Sequence, residues 1–406
     1  MKRVFRTLCF LSLLLSSYSV LMAQNEDFKV IGYLPHYRFS SNELIAYEKL
    51  THLNIAFANP DMEGNLSVAG KDIDPIISSA HAAQVKVLIS LAGGALTADW
   101  SAAWKHLMKP ENRSAYIHKI LQYVAQHELD GIDMDLEWQH VDDLYSGFVL
   151  ELRDSVDQYP ELLLTAALPG TYRYPQISDA AMYAYDFINM MVYDLRGPWD
   201  PTNIGPHSPY SFAQSSINYW EEQGMKGEDL TLGVPFYGYD FSNAPSSVSS
   251  FTYKSMVDEN PDNAYVDQVG AAYYNGIPTI QQKTDLALRE LSGIMMWELG
   301  QDHFSELSLL TAIDQIIQGQ TSVKPLDFSE HIAVYPNPVV DELRLNNTSS
   351  KSAVWRFLSL DGKVVEAGTL LGNSESMIEC KRLIPGMYVL QLVAEDQVIS
   401  MKVIKS

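Results

Sequence analysis

The sequence predicts a closed parallel (β/α)8 barrel, an α/β fold of the TIM-barrel kind, followed by a small all-β sandwich. Three observations carry that prediction. Between residues 29 and 318, eight short apolar, β-branched runs alternate with helical patterns. After the polar, Pro-ended stretch Gln318–Pro325 the pattern changes to short strands broken by turns. One of the eight runs also ends in a row of carboxylates, and carboxyl ends of strands are where barrels place functional groups.

The predicted strands are Val30–Leu34, His52–Ala58, Lys86–Leu91, Gly131–Glu137, Leu162–Ala167, Phe187–Tyr193, Leu230–Pro235 and Gly293–Leu299. Helical spacing of apolar residues marks Ile73–Ala83, Arg113–Gln126, Leu144–Gln158, Phe212–Gln223 and Ile280–Leu291. In the tail, strands are expected at Ile332–Tyr335, Glu342–Asn346, Trp355–Leu360, Lys363–Glu366, Met387–Leu392 and Gln397–Val403. Asp361-Gly362 reads as a hairpin turn between two of them. The expected layout is a leader over 1–23, a barrel over 24–318, a linker over 319–326 and the β domain over 327–406.

Lys2, Arg3 and Arg6 precede the apolar run Leu8–Leu15, and Ala23 stands before Gln24, the pattern of a cleaved secretory signal. The formal net charge is -22, with 50 acidic against 28 basic residues. Nucleic acid and anionic membranes are therefore poor partners, while a neutral polymer is not excluded. Of two cysteines, Cys9 lies in the leader, so Cys380 has no disulfide partner and no Cys-based metal site is expected. No later stretch is long and apolar enough to span a membrane.

The informative run is Asp130-Gly-Ile-Asp-Met-Asp-Leu-Glu-Trp138. On a strand, period-2 alternation puts Asp133, Asp135 and Glu137 on one face and Ile132, Met134 and Leu136 on the other. Stacked carboxylates on a packed strand are costly, and like charges this close cannot all ionise at neutral pH. A carboxyl that keeps its proton can protonate a leaving group. A calcium loop would place its ligands on a turn, not at alternate positions of an apolar strand. No metal or other cofactor is expected. Asp130 has the opposite parity and is assigned to structure.

With these residues, 29–318 resembles glycoside hydrolase family 18, the chitinase family. The acidic strand is similar to the family's D-x-x-D-x-D-x-E motif through Asp130, Asp133, Asp135 and Glu137. Met191-Val-Tyr193-Asp194 resembles its Met-x-Tyr-Asp strand, and Gly293-Ile-Met-Met-Trp297 its last strand. Ser90-Leu-Ala92-Gly-Gly94 looks like its third strand, with Ala92 disturbing the spacing, and the Leu195–Pro209 loop resembles the chitinase loop after strand six. Glu137 is followed by Trp138-Gln139-His140, where chitinases usually carry Tyr-Pro. The tail resembles a type IX secretion sorting domain through Val334-Tyr-Pro-Asn-Pro338, Leu360-Asp-Gly-Lys363 and Pro385-Gly-Met-Tyr388. That resemblance implies the type IX machinery as a partner, with export through the outer membrane of a Gram-negative bacterium to the surface or the medium. A carbohydrate-binding β-sandwich is the alternative for the tail, although Trp355 is its only tryptophan.

The family resemblance implies retaining, substrate-assisted hydrolysis, in which the 2-acetamido oxygen forms an oxazolinium. Glu137 would be the acid and base, Asp135 would hold the acetamido N–H, Asp133 would share a proton with Asp135, and Tyr193 would hold the acetamido oxygen. Trp297 would floor the sugar site, with Asp194, Met191, Tyr33, Trp199 and Arg196 as further substrate-binding candidates. Trp100 and Trp104 are either sugar platforms or helix packing. The implied substrate is chitin or another N-acetylglucosamine-containing glycan. A chitinase leads, with an endo-β-N-acetylglucosaminidase cutting the chitobiose core of N-glycans, a cell-wall-lytic enzyme, a non-catalytic chitin-binding lectin and a scaffold adhesin as the other readings.

Overall fold

The computed structural model describes residues 28–319, 332–347, 352–359, 364–372, 374–381, 383–394 and 397–406. The expected leader, most of the linker and the Asp361-Gly362 turn lie outside these residues. The chain forms two compact units that meet in sequence at Gln320/Thr321.

In the first unit eight parallel strands close on themselves: β1 (Lys29–Pro35), β2 (His52–Pro60), β3 (Lys86–Ala92), β4 (Gly131–Asp135), β5 (Leu163–Pro169), β6 (Phe187–Met191), β7 (Leu230–Pro235) and β8 (Gly293–Trp297). Each pairs with its sequence neighbours, and β1 pairs with both β2 and β8. The strands are buried on both faces, as in parallel sheets generally, and mostly apolar apart from a layer of inward polar side chains. Outward side chains pack against the helices α1 (Asp74–Ala82), α2 (Ala98–Leu107), α3 (Arg113–Gln126), α4 (Tyr145–Val156), α5 (Tyr210–Glu222), α6 (Ile277–Glu290) and α7 (Leu309–Ile317). Inward ones form a second, mostly aromatic cluster with Ile31, Tyr33, Phe187, Tyr193 and Met295.

Strand β4 stops at Asp135, two residues short of the expected end, yet Glu137 keeps an extended backbone (φ -127°, ψ 156°). Side-chain alternation therefore still reaches it. Likewise β6 ends at Met191 and β8 at Trp297, leaving Tyr193, Asp194 and Glu298 just beyond their strands. Between β7 and β8 a four-stranded antiparallel sheet (Tyr237–Asp240, Ser249–Thr252, Gln268–Val269, Ala272–Tyr273) and a short helix (Tyr253–Glu259) form an insert.

The second unit is a sandwich. One sheet holds β9 (Ile332–Tyr335), β10 (Glu342–Asn347) and β13 (Ser374–Glu379), and the other β11 (Ala353–Ser359), β12 (Val364–Leu370), β14 (Gly386–Ala394) and β15 (Gln397–Lys405). Leu343, Leu345 and Ile378 from the first share one core with Phe357, Leu390, Leu392 and Val403 from the second. Strand β13 is missing from the sequence reading because Ser374-Glu-Ser-Met-Ile-Glu379 is polar and only Ile378 of it is buried. Trp355 is 5% exposed in that core, so it offers no sugar platform.

Candidate active site

The site stands on a polar layer inside the barrel. Ser90, Asp133 and Thr165 are register partners on β3, β4 and β5, so their inward side chains lie side by side. Asp133 Oδ2 accepts hydrogen bonds from Tyr33 Oη and Ser90 Oγ, both at 2.7 Å. Its Oδ1 accepts from Thr165 Oγ1 at 2.6 Å and Asn189 Nδ2 at 3.4 Å. Thr231 on β7 in turn donates to Asn189 Oδ1 at 2.7 Å. Burial pushes the Asp133 carboxyl up, but these four donors oppose it and favour the anion.

Asp135, one layer nearer the mouth, has the opposite environment. It is 3% exposed and its Oδ1 has no hydrogen-bond partner. Burial, then the charges of Glu137 and Asp133, push its carboxyl well above the ordinary range. Both oxygens of Asp133 accept from other side chains.

Glu137 is pushed up to about 7, first by burial and then by Asp194, with an opposing contribution from Trp138. It leans on the backbone of Gly94, where a Cβ would stand 2.6 Å from Glu137 Oε1. A side chain at 94 would therefore push the Glu137 carboxyl aside. Asp130 keeps its structural place: its Oδ2 accepts from Val87 N at 2.7 Å and pairs with His81 Nε2 at 2.9 Å, tying β4 to β3 and α1.

Opposite the acidic strand, Tyr193 is buried, and its hydroxyl meets only Met295 Sδ at 3.9 Å, a weak acceptor. Trp297 is half-buried, stacked on Phe57 (5.5 Å, 20°) and tilted against Tyr33 (5.6 Å, 60°). Tyr33 itself is 1% exposed, so it is a support beneath the pocket and not its wall. Met191 is partly buried in the same inner cluster. Asp194 is exposed with φ +61°, and its Oδ1 accepts from Tyr237 Oη at 2.5 Å and Tyr239 Oη at 2.9 Å. Arg196 is spent on its own loop, donating to Asn203 Oδ1 at 3.0 Å and the Pro206 carbonyl at 3.1 Å. Trp199 is 58% exposed, edge-on to Tyr239. Trp104 is core, donating to Asn59 Oδ1 at 2.9 Å, whereas Trp100 is partly exposed.

Several supports were not anticipated. Tyr237 and Tyr239 hold Asp194, although their alternation just past β7 was available as a signal. Behind the loop, the fully buried Lys283 donates from Nζ to Ser208 O, Ser208 Oγ and Asn275 Oδ1, each at 2.7 Å. Ser208 Oγ donates to the Val192 carbonyl at 2.5 Å, next to Tyr193. His207, beside it, lies 3.6 Å from Asp194 and binds the Tyr237 carbonyl through Nε2 at 3.2 Å.

Residues 29–302 match the sequence model of Glycosyl hydrolases family 18. The chain belongs to that family. Its fold aligns with the crystal structure of a family 18 chitinase from the chitin utilization locus of Flavobacterium johnsoniae, at 44% identity and a TM-score of 0.70, covering 72% of this chain and 94% of that one. In sequence it is 28% identical over 227 residues to a chitinase-like effector of Moniliophthora roreri (49% of this chain, 55% of the relative). It is 27% identical over 289 residues to an endochitinase of Manduca sexta (60% and 50%). The chain thus spans about half the length of these curated relatives. Residues 333–406 match the secretion system C-terminal sorting domain, which marks the family 18 barrel for export by the type IX system of Gram-negative bacteria.

Proposed function

We propose that this family 18 protein is a secreted chitinase that hydrolyses β-1,4 bonds between N-acetylglucosamine units with retention. The observation that carries the reading is the pairing of Asp135 and Glu137 on one strand face, opposite an uncommitted Tyr193 hydroxyl and the Trp297 ring. Homology to a chitinase at 44% identity supports the substrate class.

In the proposed mechanism the sugar to be cleaved lies on Trp297, and its acetamido group enters between Asp135 and Tyr193. The acetamido N–H supplies the donor that Asp135 Oδ1 lacks, which favours the ionised form of Asp135. Its proton passes to Glu137, with which it titrates as a unit. The acetamido oxygen, held by the Tyr193 hydroxyl, attacks the anomeric carbon as the glycosidic C–O bond breaks. Glu137 protonates the departing oxygen. The oxazolinium positive charge then faces the Asp135 carboxylate, an interaction strongest in the transition state. Water attacks the same carbon, Glu137 takes its proton, and the ring opens with the original configuration. Family 18 is a recognised exception to the scheme with a carboxylate nucleophile.

The test is mass spectrometry of products from chitohexaose and from an N-glycosylated protein, with Glu137→Gln as control. Shortened oligomers that vanish in the variant are expected. Release of glycans with chitohexaose untouched would move the protein to the N-glycan core, and silence on both substrates would overturn the enzyme reading.

A further inference from the structure

Lys283 is a fully buried amine that the mechanism leaves without a task. It stands on α6, on the same buried stripe as Ile280 and Ala287, where an apolar side chain would satisfy packing. Its Nζ donates to three neutral oxygens, Ser208 O, Ser208 Oγ and Asn275 Oδ1, each at 2.7 Å. Three acceptors match the three N–H bonds of an ammonium. Burial penalises that charged form, so the amine is a costly brace for a loop.

What it braces is the peptide that carries Tyr193. The ladder of β6 ends at Met191, whose carbonyl accepts from Gly170 N–H at 3.0 Å. The next carbonyl, that of Val192, accepts instead from Ser208 Oγ at 2.5 Å. A peptide unit is planar, so fixing this carbonyl fixes the plane from which Tyr193 departs. Ser208 gives its one hydroxyl proton to Val192, and the same oxygen takes an N–H of Lys283. Asn275 Nδ2 closes the arrangement on the Ser208 carbonyl at 3.0 Å. The neighbouring His207 secures the far side of the tyrosine, its carbonyl accepting from Leu195 N–H at 2.9 Å. The Tyr193 hydroxyl has Met295 Sδ at 3.9 Å, a weak acceptor, so backbone and packing set its place.

We propose that Lys283 is a positioning residue for the hydrolysis, acting through Ser208 on the Val192–Tyr193 peptide to hold the Tyr193 hydroxyl against the acetamido oxygen. The inference rests on the hydrolase reading above and deepens it by naming what keeps its tyrosine in place. Lys283 is shut off from solvent and substrate, so its influence passes through the groups it holds. Alignment of this kind is sensitive, since a displacement of about 1 Å can cost on the order of 100-fold in rate.

The test is a double-mutant cycle of kcat on chitohexaose in the full-length protein, run well below the melting point of every variant. Lys283→Met should lower kcat about tenfold and leave KM within about twofold of wild type. In the Tyr193→Phe background the same change should lower kcat by less than about twofold, because the hydroxyl it positions is already gone. Ser208→Ala leaves the lysine its other two acceptors and should repeat the pattern at severalfold. A general loosening of the fold would lower kcat by the same factor in both backgrounds, and that result would overturn the inference, as would an unchanged kcat in Lys283→Met. If Lys283→Met does not fold, the Ser208→Ala cycle decides by the same criterion. A wild-type protein that leaves chitohexaose uncut would instead remove the hydrolase reading, and this inference with it.

Discussion

At the scale of single residues the site works by unequal treatment of three carboxyls on one strand face. Asp133 receives four donors, Asp135 leaves an oxygen without one, and Glu137 sits partly open at the mouth. Holding Glu137 up to about 7 keeps an acid available in neutral solution. The kcat/KM of the proposed hydrolase is therefore expected to fall as pH rises through about 7, read from kcat/KM against pH. The same shift has a stability sign. The unfolded glutamate loses its proton near pH 4 while the folded one keeps it to about 7, so the folded state is progressively penalised across that window. Glu137→Gln should thus raise Tm at pH 8 but hardly at pH 4, a gain on the order of 3 kcal/mol of stability. Equal melting shifts at both pH values would contradict the assignment. Tyr193→Phe keeps the buried ring and removes a hydroxyl that no strong acceptor holds, so folding should be spared. If that hydroxyl aligns the acetamido oxygen, kcat should drop about 100-fold with KM little changed.

At the scale of elements, what the sequence discloses depends on whether a residue's role is local. The barrel strands are legible because burial on both faces gives continuous apolar runs, and the β4 parity alone places Asp133, Asp135 and Glu137 together. Strand ends are less legible: Glu137, Tyr193 and Asp194 stand past the last ladder hydrogen bonds, where loops from other elements fix them. Tyr33 and Arg196 look like pocket residues from their position at strand ends, and only tertiary contacts commit them to Asp133 and to the loop carbonyl of Pro206. Lys283 is the instructive case. It lies on the buried stripe of α6 with Ile280 and Ala287, so helical spacing had already put a lysine on an apolar face. What it binds, Ser208 and Asn275, could not be read from that spacing. Lys283→Met keeps the length of the side chain and strips three acceptors of their donor. A loss of about 2–3 kcal/mol is expected, together with a lower kcat as the Tyr193–Asp194 segment loosens. Burial brings this amine down to about 7, so the folded chain releases its proton before the unfolded one does. The wild type therefore gains stability between about pH 7 and 10, and the melting gap to the variant should widen from pH 6 to pH 9.

At the scale of the whole molecule, two units with separate cores carry separate tasks. The barrel's polar inner layer, acidic strand and aromatic supports all belong to residues before 303, and the family 18 match ends at 302. The sandwich has its own core around Phe357 and Leu390, buries its single tryptophan, and matches a sorting domain. A net charge of -22 suits neither a polyanion nor an anionic membrane, whereas an uncharged glycan meets no repulsion. Since no residue of the proposed mechanism comes from the tail, removing residues 333–406 should leave kcat/KM on chitohexaose within twofold of the full chain. In the producing bacterium the shortened protein should instead accumulate behind the outer membrane, measured by fractionation and activity in the medium. A truncated chain that reaches the medium as before would break the link between the sandwich and export. A large loss of kcat/KM would show that the sandwich contributes to the barrel's function.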